Sequence, residues 1–181
     1  DIKLDSATTI PPFLSQVARL GRPLLIIAEF VDENVLELLV AQHARREPPL
    51  AAVEAPGFGA TRSAMLQDIA VLTAGRVLIG DPRTALRDVQ ACLGRASKVR
   101  IERTATTIID GKGAPEAIIS RIEQLREELA ITTSDYDREK LSARIEKLDA
   151  GVAVIKVGAE SAVARRIKKA RLEAALRPPS P

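Results

Sequence analysis

The segment PLLIIAEFV, Pro23–Val31, is a continuous apolar run of strand length. A strand with one face in water alternates apolar and polar residues. A run without alternation needs cover on both faces, as in a parallel sheet flanked by helices. Asp32, a good N-cap, opens a helical stretch that continues to about Arg46, where Pro48-Pro49 breaks it. LAAVEA, Leu50–Ala55, reads as the next strand. Thr61 to Thr73 reads as a helix, with Met65, Ile69 and Leu72 at i, i+4 and i+7 and Gly75 as its terminator. RVLIG, Arg76–Gly80, reads as a third strand. Strand, helix, strand, helix, strand is the βαβ signature of a parallel-type core, so the fold class is α/β. Ahead of it, Pro11-Pro12 lead into a short helix carrying Phe13, Leu14 and Val17, which Gly21 ends.

The pattern then changes. KVRIERTATTIIDG, Lys98–Gly111, reads as a β-hairpin. Pro115 opens a long helix with Ile118, Ile122, Leu125 and Leu129 in one stripe. Ser134, with Asp137 three residues on, resembles a capping box for a further helix ending near Leu148. A connection this short predicts an antiparallel helix pair. Gly151–Gly158 reads as a strand, and Ala159–Leu176 as a last helix that RPPSP cannot continue.

Composition narrows the function. Apolar residues make up 46% and charged residues 28%, enough for a core and a polar surface. Aromatics are 2%, namely Phe13, Phe30, Phe58 and Tyr136, so the core must be aliphatic. That scarcity argues against nucleic-acid binding by base stacking. With one cysteine, Cys92, and one histidine, His43, neither a disulfide framework nor a Cys/His zinc site is expected. A reduced, cytoplasmic setting fits. No run approaches a membrane span, and no basic region followed by an apolar run suggests a signal peptide. Residues 151–181 hold seven Lys/Arg against two Asp/Glu, with Arg165, Arg166, Lys168, Lys169 and Arg171 close together. A solvated helix face explains this. An acidic partner or nucleic acid is the sharper reading, but no aromatic interleaving supports it.

The stretch APGFGATRS invites a phosphate reading because a glycine loop precedes a helix. A P-loop requires G-x-x-x-x-G-K-[ST], and this loop has no lysine and the wrong spacing. Gly57-x-Gly59 lacks the third glycine of a dinucleotide fingerprint. Pro56 and the glycines suit a tight turn, and Phe58 between them suggests that the turn is packed. Glu29 at a strand's C-terminal end stands where α/β enzymes place acids, but a single carboxylate is a weak signal. His43 has no evident acid partner, and Asp135 and Asp137 are explained by a helix start. No carboxylate cluster suggests a metal. On these residues the chain is not an enzyme.

One helix is apolar over too wide an arc. At 100° per residue Leu38, Val35, Leu39, Leu36 and Val40 spread over roughly 200°, where a docked surface helix needs about half of that. The excess is either covered by another helix or left open as a binding surface, which Leu14 on the preceding helix would extend.

RPLLIIAE, APGFGATRSAMLQDIAVLTAG, TTIIDG, TSDYDREKLSARIEKLDAGVAVIKVGA and KKARLEAAL together resemble the group I chaperonin family, the GroEL type, collinearly from about Gly21 to Arg177. The resemblance implies a polypeptide-binding apical domain over residues 1–150, N-terminally incomplete. It further implies part of the intermediate domain, a strand and a helix, over 151–177, and a tail at 178–181. It implies binding of non-native polypeptides in a groove between two helices, with Leu14, Leu36 and Val40 on groove positions, Ala41 in place of a larger apolar residue, and Gln42 at a polar contact position. Pro11 stands where the family has leucine. The glycine loop would be a turn of the apical domain. ATP and magnesium, the heptameric double ring and a co-chaperonin belong to the full-length family. No cofactor is expected in this chain, which alone would be monomeric. The family's water-positioning aspartate falls on Ala174 and its inter-subunit glutamate on Ala162. The alternative is a degenerate scaffold that keeps the fold for one dedicated folded partner.

Overall fold

The computed structural model describes residues 3–4, 10–19, 21–44, 49–80, 89–102 and 105–156; at 3, 4, 10, 42–44, 152 and 154–156 the backbone alone is described. In chain order the elements are β1 (Lys3–Leu4), α1 (Ile10–Ala18), β2 (Leu24–Ala28), β3 (Phe30–Val31), α2 (Glu33–Ala44), β4 (Leu50–Glu54), α3 (Gly59–Thr73), a 3-10 turn (Val89–Cys92), β5 (Ala96–Ile101), β6 (Ala105–Gly111), α4 (Pro115–Ile131), α5 (Asp135–Asp149) and β7 (Val152–Lys156). β2 pairs with β4 in parallel, from Leu24 opposite Leu50 to Ala28 opposite Glu54. β5, β6 and β7 form an antiparallel sheet in that order, and β1 pairs with β3 in parallel. The architecture is mixed α/β.

The unalternating run behaves as its composition requires. Leu24 and Ile26 pack against a core made by Phe13, Leu14 and Val17 of α1, Val35 and Leu39 of α2, and Val89. Leu25 and Ile27 point the other way, into a core of Leu72, Ile108, Ile122, Leu125, Leu141 and Leu148. β4 divides in the same manner, Leu50 and Ala52 to the first core and Val53 to the second. Each fully buried aliphatic side chain contributes about 1.5–3 kcal/mol, so the ribbon is stabilised from both faces.

The parallel core departs from the sequence reading in two places. The run Pro23–Val31 is not one strand: the chain bends at Glu29, and β3 joins β1 in a separate sheet. Arg76–Gly80 is not a strand. The amide of Arg76 donates to the Cys92 carbonyl at 3.0 Å, so its backbone is tied to the 3-10 turn instead of extending the ribbon. Gly75 is required there for space, since a Cβ on it would lie 2.8 Å from the Gly94 nitrogen. The left-handed terminator of α3 is Ala74, with φ 57, and Gly75 follows, its amide donating to the Ala70 carbonyl at 2.9 Å.

The remaining elements follow their sequence signals. The hairpin pairs Lys98 with Ile109 and Arg100 with Thr107. Pro115 occupies the first turn of α4, where its missing amide costs nothing. The Ser134 hydroxyl accepts from the Asp137 amide at 3.3 Å and caps α5. Arg138 Nη1 donates to the carbonyls of Leu129 and Thr132, both at 3.1 Å, closing the turn between α4 and α5. The strand expected over Gly151–Gly158 is β7, which pairs with β6. The predicted helix Ala159–Leu176, with Ala162, Ala174 and the basic residues 165–171, lies outside the described residues.

A buried ionic cluster fastens the helix pair to α3. Asp68, 8% exposed, accepts from Arg144 Nε at 2.6 Å and Nη2 at 3.0 Å, and from Arg121 Nε at 2.9 Å. Removing one member of a buried charge cluster costs about 3–5 kcal/mol, because the partners are left uncompensated. Asp68→Ala is therefore expected to lose about that much stability in urea unfolding. A loss below about 1 kcal/mol would mean that water already satisfies the arginines.

Asp110, at φ 55, accepts from Lys112 Nζ at 2.6 Å and from the Ser97 hydroxyl. These hydrogen bonds, together with the Lys112 charge, hold its carboxyl below the ordinary 3.8. A depressed folded value means that the contribution is complete above the unfolded value, about pH 4, and is lost as pH falls through the lower folded value. The stability gap between wild type and Asp110→Asn should be constant from pH 7 to about 5 and shrink below about 4. A gap independent of pH over that range would exclude the linkage.

Candidate functional site

The candidate surface is the outer part of α1 and α2. Pro11 and Pro12 sit in the first turn of α1, where a missing amide is tolerated, so proline in place of leucine does not prevent this helix from starting. The helix is closed at its other end by Gly21 at φ +61, whose amide donates to the Ala18 carbonyl at 3.2 Å. The first turn of α2 is organised by Asp32: its Oδ1 accepts from the Asn34 amide at 2.9 Å and from Asn34 Nδ2 at 2.8 Å, and its carbonyl accepts from the Leu36 amide at 2.9 Å.

The wide apolar arc of α2 resolves into a centre and two flanks. Val35 and Leu39, 0% and 3% exposed, anchor the helix in the first core. Leu38 on one flank and Leu36 and Val40 on the other are half-buried. Leu36 and Val40 are one turn apart and make an apolar strip at the surface, with Ala41 exposed beside it. Gln42 lies on α2, and its side chain, like that of His43, is outside what the structure describes. Leu14 corrects the sequence reading: it is 8% exposed and sealed in the core with Phe13 and Val17, so it does not extend the surface. These residues share one face of a short helix, and the first core takes it.

The glycine loop is built around Arg62. Gly57 takes φ +78, and a Cβ there would also press on Thr61 Cγ2 at 3.3 Å. Arg62 Nη1 pairs with Glu29 Oε1 at 2.6 Å, its Nε donates to the Gly57 carbonyl at 3.2 Å, and its guanidinium lies 5.7 Å from the centroid of the Phe58 ring. Phe58 is 75% exposed, so the expected packed turn is wrong for its aromatic residue: the loop is held by the Arg62 side chain, and the ring stands in water beside it. A phosphate would find a single cation at this loop, already committed to Glu29. The loop residues do not fit a nucleotide phosphate. No sequence spacing signals a pair 33 positions apart, which is why the role of Glu29 was not legible.

Asp137 lies at the start of α5 with its amide on the cap, as its sequence position suggested. Among the described residues no group of three or more His, Cys, Asp or Glu is placed to hold a metal ion, and no helix is long and apolar enough to cross a membrane.

No protein-family model matches the sequence. Among solved structures the chain is similar to the chaperonin gp146 from the bacteriophage EL 2 (Pseudomonas aeruginosa), crystallised in the presence of ATP-BeFx. The two are 22% identical with a TM-score of 0.54, over 97% of this chain and 36% of that one. The chain thus spans about a third of the chaperonin it matches and has a chaperonin-like fold.

Proposed function

We propose that this chain is a polypeptide-binding module of the chaperonin type, with residues 1–150 as the apical domain and 151–177 as part of an intermediate domain. The observation that carries this reading is the apolar strip of Leu36 and Val40, left half in water on a helix whose neighbours Val35 and Leu39 are fully buried. A helix anchored by its centre holds its flanks rigid, so apolar side chains of a non-native polypeptide can dock without an ordering cost on the receiving side. The chaperonin-like fold supports the same assignment, and the sequence resemblance puts Leu14, Leu36 and Val40 on groove positions with Ala41 and Gln42 beside them, Leu14 being buried in this structure. A co-chaperonin, a ring assembly and a cytoplasmic setting belong to this proposal as the company such a module keeps.

The strip predicts separable effects. Leu36→Glu should weaken binding of a labelled, denatured client about tenfold, since losing one leucine contact and adding a charge is worth at least about 1.4 kcal/mol. Its melting temperature should stay near that of wild type. Leu14→Glu should fail to fold, because it buries a carboxylate in the first core. Unchanged client binding by a folded Leu36→Glu protein would overturn the strip. Saturable binding of one folded protein that denatured clients cannot displace would favour a dedicated scaffold.

The same reading includes no ATP hydrolysis by this chain. The glycine loop lacks a phosphate lysine, its arginine is paired, and the family's catalytic aspartate position is Ala174. A methyl group there can neither orient a water nor accept a proton. Calorimetric titration with ATP and magnesium should give no heat of binding, and Ala174→Asp should not create phosphate release. Micromolar affinity in either protein would refute this.

A further inference from the structure

The antiparallel sheet leaves one long side open. β5 has β6 as its one neighbour among the described residues, and Ser97, Lys98, Val99 and Arg100 are all exposed. The hairpin decides what that side presents. The Glu102 amide donates to the Ala105 carbonyl at 2.8 Å, so the backbone groups of Glu102 face β6. Backbone groups alternate along a strand, and the register is unbroken from Lys98 opposite Ile109 to Ile101 opposite Thr106. Lys98 and Arg100 therefore also bond inward, while the amides and carbonyls of Val99 and Ile101 point outward, as on any unpaired edge. The side chains give this edge two unlike faces. Lys98, Arg100 and Glu102 share one, and among the described residues neither cation has an ion pair. Val99 and Ile101 share the other, opposite the buried Ile108 and Thr106. Val99, 39% exposed, thus stands at the rim of the second core. Charges on an edge strand repel a strand of like charge and accept one of opposite charge. A second copy of β5 is a poor occupant: an antiparallel pair centred on Val99 sets Lys98 against Arg100, and one centred on Arg100 sets that residue against itself.

We propose that the open edge of β5 takes an acidic peptide as an added antiparallel strand, with carboxylates at alternate positions opposite Lys98 and Arg100 and the intervening apolar side chains beside Val99 and Ile101. The proposal stands independently of the client-binding strip. The probe is the peptide acetyl-Thr-Val-Glu-Val-Glu-Val-Thr-amide, titrated into the full chain and followed by amide hydrogen exchange in NMR. It should slow exchange at Val99 and Ile101 saturably and change Lys98 and Arg100, already in the ladder, much less. A peptide with lysine at both glutamate positions should bind at least about fivefold more weakly, since two cross-strand pairs turn from attraction to repulsion. Lys98→Glu combined with Arg100→Glu, two exposed changes, should reverse that preference. Proline at the central valine keeps both charges but removes a ladder amide, and should abolish binding. Leu36→Glu should bind the acidic peptide as wild type does. Equal binding of the lysine or proline peptide, or loss of binding in Leu36→Glu, would overturn the edge site. So would slow exchange at Val99 and Ile101 without peptide, whether constant or rising with protein concentration, because the edge would then be occupied already.

Discussion

A two-stranded parallel ribbon cannot stand alone, and here everything is arranged to cover it. β2 and β4 send alternate side chains to opposite faces, and each face collects its own core. The first core takes α1 and α2; the second takes α3, the antiparallel sheet and the α4–α5 pair. The ribbon is thus the wall between two layers, and loss of strand register would move Leu24 and Ile26 into the space of Leu25 and Ile27. The apolar character of Leu24–Ala28 is the consequence of having a core on each face.

α3 connects this wall to the polar machinery. At its start Arg62 crosses to Glu29, just past the end of β2, and fixes the loop that follows β4. In its middle Asp68 gathers Arg121 and Arg144 from the helix pair. At its end the chain is so close to the next turn that Gly75 and Gly94 meet backbone to backbone. Desolvation offsets much of the attraction in a buried cluster of this kind, so its net contribution to stability is smaller than the cost of breaking it. One buried polar group is left over among the described residues: the Thr106 hydroxyl, 0% exposed in the middle strand of the sheet, has no hydrogen-bond partner.

The candidate surface follows from a shortage of partners. α2 carries more apolar arc than the ribbon can cover, and α1 spends its own apolar face on the first core. Leu36 and Val40 are therefore left at the boundary, supported from below and open to one side. Under the proposed function such a surface would be selective for apolar chains without being selective for sequence, because burial of aliphatic area has no directional requirement.

Local signals in the sequence were sufficient for most elements. Proline at the start of α4, Ser134 before α5 and Asp32 before α2 each act within a few residues of the structure they produce, and those elements formed as read, while the unalternating run gave β2 but broke at Glu29. The width of the α2 arc was also legible, since periodicity is a property of one helix. What the sequence could not show was which competing contact wins. RVLIG has strand character, but the Cys92 carbonyl takes its first amide. Leu14 has the same apolar character as Leu36, yet one is core and the other half-exposed, because burial is decided by what lies opposite. Glu29 and Arg62 are far apart in the chain, as are Asp68 and Arg144, and only folding brings their charges within 3 Å. Periodicity and capping are short-range and were written in the order of residues; pairing across the chain depends on tertiary geometry, which no single segment contains.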